Sequence, residues 1–356
     1  MHRIYWQFFC GFDYLQHRLP IDPSSLTRWR ERIGASGMER LLAATIDAAV
    51  DGGAVKPSSF ERVTIDTTVQ PKAIAFPTDS RLYHRGREIL VRFAARHGVK
   101  LRQSYHRLGK RALRLANRYA YARQMRRARR EIRRLKTFLG RVARDIGRKI
   151  ANRPGLAPHF AEPLARVTRL LAQQKTDRAK LYALHAPEVE CLAKGKAHKR
   201  YEFGVKVSIA TTNREGLVLD MMALPGNPYD GHTLSAVLAQ VERMTGVAVA
   251  RGYVDRGYRG HGLDHRRIFV SAQRRGITPT IRRELRRRSA IEPVIGHMKA
   301  DGRLDRNFLA GVRGDAINAL LCGAGYNLRL ILNHLRRLLR ALLLAFPGNH
   351  QLAASS

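Results

Sequence analysis

The chain has 356 residues, length for two or three domains, and a hydrophobic share of 44%, which can fill a core and excludes a wholly disordered chain. Its formal net charge is +38, from 66 Lys and Arg against 28 Asp and Glu. Such an excess repels itself in a compact state unless a polyanion neutralises it, so the partner expected is DNA or RNA, with an anionic membrane surface as the other candidate.

Arg greatly outnumbers Lys, and the flat guanidinium fork suits phosphate oxygens. The three cysteines, Cys10, Cys191 and Cys322, form no CxxC pair, which argues against a disulfide framework or a zinc cluster. The start lacks a signal-peptide pattern. The leucine-rich tail from Leu320 to Phe346 is broken by Arg329, His334, Arg336, Arg337 and Arg340, so it falls short of a membrane span. A cytoplasmic, nucleoid-associated protein with no membrane partner is expected.

In chain order, an aromatic-rich start (Tyr5, Trp6, Phe8, Phe9) leads to a turn at 20–25. Two helices are predicted next, one carrying Leu26, Trp29, Arg30 and Ile33, the other running from about Met38 to Val50 with apolar residues at helical spacing. Separated near Ile33–Gly37, they have the outline of a helix-turn-helix-like DNA module, or of a small helical cap. The run Arg62–Val69 reads as a β-branched strand carrying one acid, Asp66. From about Ser80 to Leu184 helical spacing and positive charge dominate: residues 107–149 hold 17 Lys and Arg against Glu131 and Asp145 alone. A long helical hairpin is expected there, bent at Asn152–Pro158. Solvation alone favours mixed signs, so one sign points to a nucleic-acid-facing surface.

Strand patterns return after Pro187. Tyr201–Ile209 alternates, Leu217–Met222 reads as its antiparallel partner, and Asn213–Gly216 makes the turn. Asp230 opens a helix to about Met244, as its N-cap or as a further metal contact together with His232. Val247–Val254 is a strand ending at Asp255, and Ile268–Val270 is another. From Ser289 the pattern is helical to the end, with a break near Leu309–Gly311.

Asp66 and Asp255 thus sit at or just after strand ends, and Glu292 lies early in a helix. Carboxylates on rigid backbone that face solvent suit Mg²⁺ or Mn²⁺, with open positions for water and phosphate. Two such ions would activate a water or 3′-hydroxyl and stabilise the leaving oxygen in phosphodiester displacement. Arg288, Glu292 and Lys299, four and seven residues apart, project from nearly one helical face, which sets a cation for phosphate on either side of the acid. The same spacing is that of an Arg–Glu–Lys ladder on a solvated helix. Tyr258 and Arg259 follow Asp255 and are candidates to stack on or clamp a frayed nucleotide. Lys196 and Lys199 belong to a basic patch before a strand and are candidate backbone contacts, as is Arg30. No Ser-His-Asp pattern and no Walker-type glycine loop is present.

These residues carry a resemblance. The stretches VTIDTTVQPKAIAFPTDSRLYHRGRE, EVECLAKGKAHKRYEFGVKVSIATTNREG, LPGNPYDGHTL, GYVDRGYRGHG and TPTIRRELRRRSAIEPVIGHMKADGRL resemble the insertion-sequence family-five (IS-five group) DDE transposases of bacterial insertion sequences. So do YWQFFCGFDYLQHRLPIDPSSLTRWRERIG near the start and GDAINALLCGAGYNLR near the end. The resemblance implies an α/β, ribonuclease H-like mixed-sheet core, with Asp66, Asp255 and Glu292 as metal-binding triad for Mg²⁺ or Mn²⁺ (two ions). It implies Arg288 and Lys299 as the basic residues of a Tyr-x2-Arg-x3-Glu-x6-Lys signature, whose Tyr position is Leu285 here. Expected partners are double-stranded DNA, as terminal inverted repeats and target, and a second copy of the chain on that DNA.

The expected organisation is an N-terminal helical DNA-binding unit at 1–58, shorter than in relatives, a catalytic core from 59–82 and 186–310, a basic helical insertion at 83–185, and a C-terminal helical tail at 311–356. The expected activity is metal-dependent cleavage of element ends and strand transfer into target DNA. The alternative is a truncated, catalytically inactive DNA-binding product of an insertion element.

Overall fold

The computed structural model describes residues 13–17, 22–193, 200–263 and 265–345. Its centre is a six-stranded mixed sheet. Strand β1 (Arg62–Pro71) lies between β3 (Tyr201–Thr212), antiparallel to it, and β5 (Arg251–Val254), parallel to it. On its other edge β3 pairs antiparallel with β2 (Glu190–Ala193) at its start and with β4 (Val218–Leu224) along the rest. Beyond β5 lies β6 (Ile268–Val270), also parallel. The close β1–β3 pairing requires a glycine at 204, where a Cβ would stand 2.0 Å from the Gln70 carbonyl oxygen.

Helices cover both faces. Paired residues on adjacent strands share a face, and alternation sends their neighbours to the other. Val205, Val207 and Ile209 of β3 pack with Ile291, Val294 and Met298 of α8 (Ile291–Gly302) and with α9 (Gly311–Ala345). Ile65 and Ala210 point the other way, into a cluster with Leu234, Val237 and Val241 of α6 (Asp230–Thr245). The first helix, α1 (Pro23–Asp51), starts at an Asp22 cap that accepts from Ser24 N–H at 2.8 Å, and packs along α9. It consists of two helical arms that meet where expected, near Ile33–Gly37: Gly34 has a non-helical φ of 69° and ψ of −171°, and the break is a kink at that residue and not a loop.

Four helices lie between β1 and β2: α2 (Asp79–Arg96), α3 (His106–Tyr121), α4 (Met125–Ile150) and α5 (Ala157–Ala172). They share a hydrophobic core of their own, built on residues such as Leu90, Leu139, Val142, Phe160 and Leu170. The hairpin turn falls at Ala122–Gln124, where Arg123 takes a left-handed φ of 56°. The expected bend at Asn152–Pro158 joins α4 to α5 instead, so the arms are shorter and more numerous than the sequence suggested. After β6 come α7 (Pro279–Arg287), a 3-10 turn at Arg288–Ala290 and α8, and the chain breaks before α9 starts at Gly311, near where the sequence placed the break. No described helix is long and apolar enough to cross a membrane.

Candidate active site

The β1–β5 pairing fixes the relation between the two aspartates. The parallel register couples Thr64 with Tyr253, and both acids lie two residues further on, so Asp66 and Asp255 emerge side by side on the same face. Asp66 itself is in the middle of β1, not at its end as the sequence suggested; what ends at Thr64 is the pairing with β5, while β1 continues along β3. The face they share is the one α8 covers. There Ile291, Val294 and Met298 anchor the helix in the core, while the adjacent stripe Glu292, Ile295, Gly296 and Lys299 looks into an open cavity of about 870 Å³.

Asp66, Asp255, Glu292, Asp230 and Glu202 all line this cavity, with Lys206 and Lys299. Backbone amides orient two of the acids: Asp66 Oδ1 accepts from Thr67 N–H at 2.7 Å, and Asp255 Oδ1 from Gly257 N–H at 2.8 Å. Gly257 also serves by what it lacks, since a Cβ there would stand 3.0 Å from Asp255 Oδ1 and 3.3 Å from Asp230 Oδ2. Cations face the acids. Arg288 Nη1 is 3.4 Å from Asp66 Oδ2, and Lys206 Nζ donates to Asp230 Oδ1 at 2.9 Å. Arg288 sits in the 3-10 turn just before α8 and from there contacts Asp66.

Asp230 is the first residue of α6 and not its cap, a place that Tyr229 occupies; its carboxylate instead accepts from Lys206 and, at 3.3 Å, from Thr67 Oγ1. The sequence reading missed Lys206. The signal was present: a lysine between Val205 and Val207 in a strand buried on both faces needs a partner carboxylate.

Tyr258 corrects an expectation. Its ring is fully buried in the cluster that holds Ile65 and Leu234, so it cannot stack on a nucleotide. Its hydroxyl lies beside Ser208 within the electrostatic reach of Asp230, Asp66 and Asp255, and neither hydroxyl makes a well-formed hydrogen bond. Burial first, then the charges of Asp230 and Asp66, hold its proton far above the usual phenol range. Arg259 is exposed, and its carbonyl accepts from Tyr229 OH at 2.6 Å. Arg30 bonds Thr27 and lines a different cavity beside Phe308 and Arg313. Lys196 and Lys199 lie outside the described residues.

The donor set is hard oxygen throughout, which fits Mg²⁺ or Mn²⁺ in chemistry. As the side chains stand, no three His, Cys, Asp or Glu among the described residues close on a single point.

Residues 175–328, somewhat less than half of the chain, match the family described as a transposase DDE domain. The matched stretch holds Asp255, Arg288, Glu292 and Lys299, and leaves Asp66 before it. The mixed sheet is consistent with the ribonuclease H-like core of such a transposase. Among curated proteins, "Uncharacterized protein ORF8 in nfe locus" of Rhizobium meliloti is 61% identical over 120 residues, 34% of this chain and 58% of the relative. The chain therefore spans somewhat more than half the length of that relative. No solved structure matches the chain.

Proposed function

We propose that this protein is a DDE transposase of the IS-five group, which cleaves the ends of an insertion element and joins them to target DNA. Asp66, Asp255 and Glu292 are its metal-holding acids. The observation that carries the reading is the shared register of Asp66 and Asp255 on parallel strands, opening on the cavity that Glu292 lines. That register ties Asp66, which the family match leaves out, to Asp255, which it includes.

Mg²⁺ or Mn²⁺ held there, as two ions, would lower the pKa of an attacking water or 3′-hydroxyl and stabilise the leaving oxygen. The chain's own part is positioning. Amide hydrogen bonds fix the aspartates, Lys299 and Arg288 present charge to the scissile phosphate, and Lys206 holds the Asp230 carboxylate in place beside them. Arg259, Arg30, Lys196 and Lys199 are proposed DNA contacts away from the acids. Joining two element ends calls for two copies of the chain on DNA.

The test is Mn²⁺-dependent nicking of element-end DNA by the purified chain and by Asp66→Asn, Asp255→Asn and Glu292→Gln. Each variant is expected to lose on the order of 10³-fold or more, because several kcal/mol of charge stabilisation go with the ion at about 1.36 kcal/mol per decade. Full activity in all three overturns the triad. A catalytically silent DNA-binding product is the second reading, and Leu285 favours it: at the signature's Tyr position it packs against Tyr253, Phe269 and Ile281. Nicking by the unaltered chain excludes that reading.

A further inference from the structure

On α4, Arg126, Arg130, Arg133, Arg141, Arg144 and Arg148 recur at intervals of three or four, with Thr137 completing the series, and all six are exposed. At 1.5 Å per residue they form a straight ridge about 33 Å long. The buried side of the helix, with Ala128, Leu135, Val142 and Ile146, is directed away from it. Helix α3 repeats the arrangement with Arg107, Arg111, Arg114 and Arg118 opposite buried Gly109, Ala112 and Ala116. Like charges three and four apart destabilise a helix. A ridge of one sign is therefore a cost in the free protein that a polyanion removes.

At its C-terminal end the ridge becomes a concave site. Arg141, Arg144 and Arg148 meet Arg102, from the loop before α3, around a cavity of about 200 Å³ that Tyr105 and Asp145 complete. Asp145 organises the site without neutralising it. Its Oδ2 accepts from Arg102 N–H at 2.8 Å and from Lys149 Nζ at 3.1 Å, and its Oδ1 faces Arg148 Nη2 at 3.5 Å. Burial raises the Asp145 pKa, but these donors outweigh it and hold the carboxyl below its usual range, so it stays ionised as an anchor. Arg141 Nη1 donates to Tyr105 OH at 3.4 Å. The site shares no lining residue with the carboxylate cavity.

We infer that this arginine pocket seats a backbone phosphate of duplex DNA, and that the α4 ridge tracks the same backbone away from the seat. The inference deepens the transposase reading and rests on it only for the choice of DNA as the polyanion. Guanidinium forks bind phosphate oxygens in pairs, and phosphate contacts of this kind set position without reading sequence.

The test measures binding of the full chain to a 30-base-pair duplex of arbitrary sequence, in EDTA, over a series of KCl concentrations. Without divalent metal no cleavage enters the readout, so the inference fails or stands apart from the triad. The variant Arg141→Ala/Arg144→Ala/Arg148→Ala is compared with Arg336→Ala/Arg337→Ala/Arg340→Ala on α9, which removes the same charge from another exposed helix. The pocket variant should bind at least about tenfold more weakly, with a log–log salt slope smaller by about 2–3, since each neutralised phosphate contributes about 0.9. Its thermal midpoint should be unchanged or higher, because repelling neighbours have been removed. Equal weakening by the α9 variant, or no weakening by the pocket variant, overturns the inference. Replacing the same three residues with Lys should recover only part of the affinity; full recovery reduces the seat to plain charge and overturns it. Equal affinity for a single-stranded RNA of the same length overturns the choice of duplex DNA.

Discussion

The sheet and the four-helix layer inserted after β1 treat charge in opposite ways. In the sheet region several charges lie within or beside the core against an opposite charge: Lys72 between Glu188 and Asp315, Lys206 on Asp230, Arg288 on Asp66. In the helical layer most charges stand outside, on ridges of one sign, over a largely apolar core in which Arg87, His84, Glu131 and Asp145 are also buried. The first arrangement holds a few carboxylates in fixed places. The second presents a field to something large and negative. On the proposed function, this is a division of labour with chemistry at the sheet and grip at the helices.

The largest effect should come from breaking the sheet's side of this division. Asp66→Asn, Asp255→Asn and Glu292→Gln each remove nicking by orders of magnitude, as argued above. Each should leave duplex binding in EDTA within about twofold, because the grip is placed on the helices. A parallel loss of binding in all three, followed by fluorescence anisotropy, would merge the two functions into one surface.

Next in size is Lys72→Met. Lys72 Nζ lies 2.8 Å from both Glu188 Oε1 and Asp315 Oδ1, with all three side chains less than a tenth exposed. For Glu188, burial raises the pKa but the bond to Lys72 outweighs it and the net direction is down; for Asp315, burial prevails and the direction is up. Removing the cation strands two buried carboxylates at a cost of about 3–5 kcal/mol, read from urea unfolding. In the helical layer the corresponding weak point is apolar. Leu139→Ala removes a fully buried side chain from that layer's core and should cost about 2–5 kcal/mol. If the layer unfolds by itself, its loss appears as an early transition in amide exchange, with α6 and α8 still protected. Simultaneous loss of both regions would mean that they fold as one.

These regions were not equally legible in the sequence. The arginine ridges are local, since helical spacing alone lines them up. The β-branched runs likewise marked the strands that carry Asp66 and Asp255. What sequence spacing could not supply was long-range register. The pairing of β1 with β5 sets Asp66 beside Asp255, and the meeting of β3 with α6 puts Lys206 on Asp230, 24 residues away. Tyr258 was misread for the same reason: three residues after Asp255 it could face solvent or core, and only the packing of α6 decides for core. The bend at Asn152–Pro158 was legible because that stretch is rich in turn formers, whereas the further turn at Ala122–Gln124 has none, and Arg123 bears the left-handed conformation there.

One acid in the sheet region breaks the pairing rule and gives the smallest, most specific prediction. Asp220 on β4 is buried, and its Oδ2 makes no hydrogen bond. Burial pushes its pKa up to about 7; Glu39 adds to this, while the Met221 amide and Arg243 oppose it. Glu39 and Arg243 also pair with each other at 3.7 Å, which leaves little positive field for Asp220. The folded protein therefore keeps a proton that the unfolded chain, with an ordinary carboxyl near 3.9, gives up. Stability from this group is complete below about pH 4, falls as pH rises from there to about 7, and is level above, where both states are ionised. Asp220→Asn should abolish that slope. By urea unfolding the variant should match the parent near pH 4 and exceed it by up to a few kcal/mol at pH 8. Since Lys72, Lys206 and Arg288 leave their own acids paired, the same experiment on Asp230→Asn should show no gain at pH 8. A gain there would mean that the sheet's pairs are strained rather than settled, and that its carboxylates are crowded together for chemistry at the expense of stability.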